Sequence, residues 1–93
     1  MIQEIGTIGW AVAEMKSGTK VARSGWNGKD MYLVHMDGYK SVPANEMTAK
    51  KHDIEIGTLI DVSPYIAMKT ADNTIVPWLC SQSDLLATDW EVA

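Results

Sequence analysis

Apolar residues first recur at helical spacing and then alternate with polar ones in short runs along the 93-residue chain. Ile8, Ala11, Val12 and Met15 share one face of a helix read over residues 7 to 17. Thr7 is placed to cap its start, and Gly18 stands where a helix closes in the left-handed conformation. Lys20 to Arg23 alternates as a strand, the Ser24–Asp30 run interrupts it, and Met31 to Met36 resumes before an Asp37-Gly38 turn. Pro43 to His52 supports one helical turn, two, or a mobile excursion, and Ile54 to Val62 reads as a strand weakened by Gly57. Tyr65 to Thr70 and Thr74 to Leu79 flank a hairpin turn at Ala71–Thr74, and Pro77 assigns the second of them to a sheet edge or a bulge. Ser81 and Asp84 have capping-box spacing, with Asp in place of Glu, before Leu85-Leu86-Ala87, and Asp89 to Val92 forms a last short strand. The pattern predicts an α+β fold: a small antiparallel β-sheet of about five strands with a short helix near each end. Residues 1–93 then form a single domain. A sheet this small leaves one face poorly covered, which predicts assembly as a homo-oligomer.

At 10.2 kDa the chain has room for one core. Its net charge of −4, with no basic stripe, argues against DNA or RNA as a partner. Arg23 is the only arginine. One cysteine, Cys80, permits no internal disulfide and fits a reducing compartment. No apolar run approaches a membrane span, and Met1 to Trp10 lacks the basic start and apolar core of a signal peptide. The aromatic set is unusual: four Trp and three Tyr but no Phe, so every aromatic ring carries a polar handle.

Catalytic and metal chemistry find little support. His35 and His52 lie in different kinds of segment, and Cys80 has no ligand at metal spacing, so neither a metal nor a cofactor is expected. Cys80 in its apolar stretch reads as a small hydrophobe, Asp84 as a helix cap and Asp89 as a turn residue. Binding without turnover fits better. Arg23 to Lys29 and Trp78 to Asp84 each set a Trp beside small polar residues. A Trp face stacks on a base, Arg23 and Lys29 can meet phosphate, and Ser81, Gln82 and a helix amino terminus offer donors to anionic oxygen. Each part also has a structural explanation: Trp26 can plug the core under its loop, Trp78 can pack between sheet and helix, and Arg23 can answer a carboxylate. Trp10 and Trp90 read as core or interface residues, and Met15, Met31, Met36 and Met68 as core filling.

The run Val21 to Leu33, with Ile66 to Asp72, Val76-Pro77-Trp78 and Ser81 to Trp90, resembles the Thoeris anti-defence family of the second type, small phage and prophage proteins. The resemblance rests on the two Trp-centred motifs and the closing Leu85-Leu86-Ala87-Thr88-Asp89-Trp90 in combination. It implies a molecular sponge that binds cyclic ADP-ribose isomers intact and keeps the downstream effector off; some members also take cyclic dinucleotides. It further implies a homotetramer with pockets between subunits, acting in the cytoplasm of the infected bacterial host. Carried over by position, Arg23, Trp26, Asn27, Met31, Trp78, Ser81, Gln82 and Asp84 are the ligand-binding candidates. Residues 37 to 62 have no clear counterpart, and Asp72-Asn73 stands where an Asp-Gly turn is usual.

Capture between micromolar and nanomolar affinity requires about 8 to 12 kcal/mol. Two stacked Trp rings supply about 1 to 3 kcal/mol each. Charge-assisted hydrogen bonds to phosphate, about 1.5 to 3 kcal/mol apiece, must supply the rest, which puts Arg23 at the centre of the expectation. Two other readings fit the same chain: an enzyme degrading the same signal, and a small phage structural or protein-interaction module.

Overall fold

The computed structural model describes residues 4–93; the first three residues of the amino-terminal stretch read above lie outside that range. Helix α1, Ile8–Lys16, starts at Thr7, whose side chain accepts from the Trp10 N–H, and closes through Ser17 to Gly18 at φ +101°. Strands β1 (Val21–Arg23) and β2 (Tyr32–Met36) follow. The middle of the chain forms β3 (Tyr39–Pro43), α2 (Glu46–His52) and β4 (Leu59–Val62). Then come β5 (Tyr65–Lys69), β6 (Ile75–Pro77), α3 (Gln82–Leu85) and β7 (Trp90–Val92).

Five strands form one antiparallel sheet in the order β6-β5-β2-β1-β7. This is the α+β sheet expected, and Pro77 lies on its edge strand β6, where its missing N–H costs no ladder bond. The β5–β6 turn places Asn73 at φ +68°, a left-handed conformation that Asn tolerates. The register sorts the residues onto two faces. Val21, Leu33 and Met68 lie opposite one another on the first, as do Arg23 and Trp90. Helix α1 packs Ala11 and Met15 against this face, and with Val21, Leu33 and Trp90 they make the buried core. Tyr32, Val34, Met36, Ala67 and Ile75 take the second face, and none of them joins that core. On that side the Lys20 and Lys69 ammonium groups stand 4.5 and 5.6 Å from the centre of the Tyr32 ring.

The middle segment departs from the sequence reading. The strand expected over 54–62 is confined to Leu59–Val62, because Gly57, at φ +89°, turns the chain just before it. That strand pairs not with the main sheet but with β3, which the pattern did not indicate, and the ladder is bulged between Tyr39 and Val42. Between these two strands α2 makes about two turns, capped by the Asn45 side chain and closed by Asp53 at φ +55°. Ala44 and Ala49 are buried within this unit, and Ala44 exchanges backbone hydrogen bonds with Thr58 and Gly57. The unit stands out as an arm: the radius of gyration is 16.0 Å, against about 12 Å for a compact chain of this length. No helix among the described residues is long and apolar enough to cross a membrane.

Leu33 is fully buried between sheet and helix. Leu33→Ala should therefore cost about 2 to 5 kcal/mol, read as a shift in the chemical-denaturation midpoint.

Candidate functional site

The loop between β1 and β2 folds back onto the chain's carboxyl end because Asp89 supplies its missing partners. One Asp89 oxygen accepts from the Gly25 N–H at 2.9 Å and from the Ser24 hydroxyl at 3.4 Å; the other accepts from Arg23 Nε at 2.8 Å. A Cβ at Gly25 would lie 2.9 Å from the Asp89 carboxylate, so a side chain there would push the acceptor away from the loop. Arg23 Nη1 donates at 2.8 Å to Asp84, which also accepts from Trp26 Nε1 at 3.4 Å. One guanidinium thus clamps two carboxylates, both largely shielded, with 14% of the Asp84 side chain and 30% of the Asp89 side chain exposed.

The electrostatics follow from that geometry. Burial raises the Asp84 carboxyl, but bonds from Arg23, Trp26 and Ser81 outweigh it and hold Asp84 below the usual carboxylate range. The Arg23 bond holds Asp89 low as well, and the two carboxylates raise Arg23 in return. With one cation against two carboxylates, the cluster carries a net charge of about −1 at neutral pH.

Trp90 is the centre of the aromatic part. It is 2% exposed and donates from Nε1 to the Asp84 carbonyl at 3.0 Å. Trp26 meets it edge-on at 5.4 Å and Trp78 at 6.0 Å, with interplanar angles of 81° and 88°. Trp26 and Trp78 are half-buried, so each serves the core and still presents part of a ring to solvent.

The structure brings Arg23, Trp26, Trp78, Ser81 and Asp84 into one connected cluster. Ser81 caps α3 by accepting from the Asp84 N–H. The Asp84 side chain turns to Arg23 and Trp26, so the expected capping box is made on the Ser81 side by that bond while the acid is spent elsewhere. Helix α3 is only four residues long. Asn27 and Gln82 are exposed and adjoin the cluster in sequence, next to Trp26 and Ser81, and Met31 packs over Gly28. Met31 and Met36 are half-buried and stand outside the core cluster that holds Met15 and Met68. Asp89, a turn residue by its sequence pattern, is half of the Arg23 clamp. The signal available was the lone arginine, which a half-buried position forces to find a carboxylate. Cys80 is half-buried, and burial pushes its thiol up. Among the described residues no three His, Cys, Asp or Glu side chains are grouped to hold a metal ion.

Comparison with known proteins gives a consistent result. A family model for the Thoeris anti-defense 2-like domain matches residues 6–93. The curated protein named Thoeris anti-defense 2, from Bacillus phage SP01, is 36% identical over 89 residues, covering 92% of each chain.

Because Asp84 and Asp89 have folded-state values below their ordinary one, their stabilisation is complete above about pH 4 and is lost as pH falls through the lower folded values. The thermal midpoint should drop between pH 5 and pH 2.5, and by less in Asp84→Asn, as followed by circular dichroism. Asp84→Ala, which removes the acceptor for Arg23 and Trp26, should cost about 1 to 3 kcal/mol at pH 7 in a urea titration.

Proposed function

Since the chain belongs to the Thoeris anti-defense 2-like family, we propose that it is a phage anti-defence protein that sequesters cyclic nucleotide immune signals without cleaving them. The family supports the anti-defence role. Cyclic ADP-ribose isomers are the signals it takes in this reading, with cyclic dinucleotides as a second class, in the cytoplasm of the infected host.

The observation that carries the capture chemistry is the Trp26–Trp90–Trp78 arrangement. Two half-exposed rings are held edge-on against one buried ring, so their orientation is set before any ligand arrives. A fixed ring stacks on a base without further ordering cost. Asn27, Ser81 and Gln82 stand exposed in the same two segments, with donors and acceptors for ribose and phosphate. Arg23 contributes through Nη2, which has no hydrogen-bond partner among the described residues, while Nε and Nη1 hold the carboxylates.

A role without turnover is supported by the acids themselves. Asp84 and Asp89 are both held ionised by Arg23. Neither can donate a proton near neutral pH, and carboxylates with lowered values are weak bases.

Assembly as a homotetramer belongs to the same reading. The chain exposes 6808 Å², against about 5,300 Å² for a compact monomer of its mass. Ile75, Tyr39, Met47 and Leu59 contribute apolar surface on the open sheet face and the arm.

Calorimetry against a panel of cyclic ADP-ribose isomers and cyclic dinucleotides, with light scattering for mass, tests this reading. At least one probe should bind with micromolar affinity or better and be recovered intact after heat denaturation. Recovery of a degraded probe would point to an enzyme, and no binding to a protein-interaction module. Asn27→Ala and Gln82→Ala change exposed side chains; each should leave the melting temperature unchanged and weaken capture about tenfold.

A further inference from the structure

We propose that a groove between α1 and β5 is a second ligand site, which takes the phosphate-bearing side of a nucleotide, with Trp78 as the wall it shares with the Arg23 cluster. The inference rests on the capture reading above and adds a location and a charge logic to it. The groove has a volume of about 420 Å³, within the range of small-molecule sites, and Val12, Lys16, His35, Trp78 and Cys80 are among its walls.

Its charge distinguishes it. The protein carries twelve carboxylates for eight Lys and Arg, yet none of them lines this groove. The Arg23 cluster, by contrast, spends its one cation on two acids. Lys16 ends α1 and has no salt-bridge partner among the described residues. A helix carboxyl end would ordinarily repel an anion, but three of the last four carbonyls of α1 are already engaged. Ala13, Glu14 and Met15 accept from the N–H groups of Ser17, Gly18 and Thr19, so fewer bare acceptors accompany the Lys16 ammonium that α1 brings to the groove. His35 is oriented by a 3.0 Å hydrogen bond between Nδ1 and Asp37, which leaves Nε2 as its remaining polar atom.

The geometry also explains how one chain can hold a ligand with two unlike ends. Trp78 and Trp26 approach the same buried Trp90 ring, one bounding the groove and the other joined to the Arg23 clamp. A base stacked on either ring is therefore positioned by the same buried residue.

Cys80 makes the site testable, because it lines the groove and is the only cysteine in the chain. The full-length protein is treated with N-ethylmaleimide at mildly alkaline pH, with and without saturating cyclic ADP-ribose or cyclic di-GMP, and labelling is followed by mass spectrometry. In parallel, calorimetry compares wild type with Lys16→Glu, an exposed change expected to leave the fold intact by circular dichroism. At least one probe should slow Cys80 labelling fivefold or more and lose tenfold or more in affinity with Lys16→Glu. Probes that bind wild type while labelling proceeds at the free rate, or that bind Lys16→Glu unchanged, overturn the groove and leave capture at Trp26 standing. Failure of both probes to bind wild type overturns the groove together with the capture reading.

Discussion

Arg23 reaches Asp84 through Nη1 and Asp89 through Nε, each at 2.8 Å, and in doing so ties β1 to α3 and to the residue before β7. These segments are some sixty residues apart in sequence, so the clamp closes the chain on itself. Trp90 follows directly after Asp89, and its position is fixed from several directions. Its N–H bonds the Gly6 carbonyl, its indole N–H bonds the Asp84 carbonyl, and two further Trp rings close on it edge-on. Gly6 is held at φ +96° where a Cβ would come within 2.6 Å of the Thr88 carbonyl, so only glycine lets the amino-terminal segment lie this close.

The absence of Phe acquires a physical meaning in this arrangement. Trp26 and Trp90 each use the indole N–H, one on the Asp84 carboxylate and the other on the Asp84 carbonyl. A Phe at either place would keep much of the packing and lose the bond that joins the aromatic cluster to the ion pair. Trp26 and Trp78 pack against the core that holds Trp90 and still present part of a ring to solvent, because a ring can be rigid at the surface only if the core grips one of its edges.

Much of the main sheet was legible in the sequence because its strands face a core. Thr7 and Gly18 bounded α1, and Pro77 marked an edge strand, each through a local backbone preference that needs no distant partner. The arm was not legible for the opposite reason. Tyr39–Pro43 is mostly exposed, pairs through a bulge and ends in proline, so it has no buried face to impose alternation on its residues. Ile54 to Val62 looked like one strand because its apolar residues are spaced like one, whereas Gly57 and the left-handed Asp53 place a turn ahead of Leu59.

For the site, residue types were readable but their allegiances were not. The sequence by itself determined that two Trp-bearing polar segments exist, that the one arginine of the chain opens the first of them, and that α1 and the main strands form where they do. Those are properties of neighbouring residues and of composition. Only the tertiary structure decided that Arg23 is spent on Asp84 and Asp89, that three of the four Trp rings meet, and that a groove free of carboxylates lies beside them. Such pairings join positions far apart in the chain, and a charge or a ring finds its partner only after the sheet has set the distances between them.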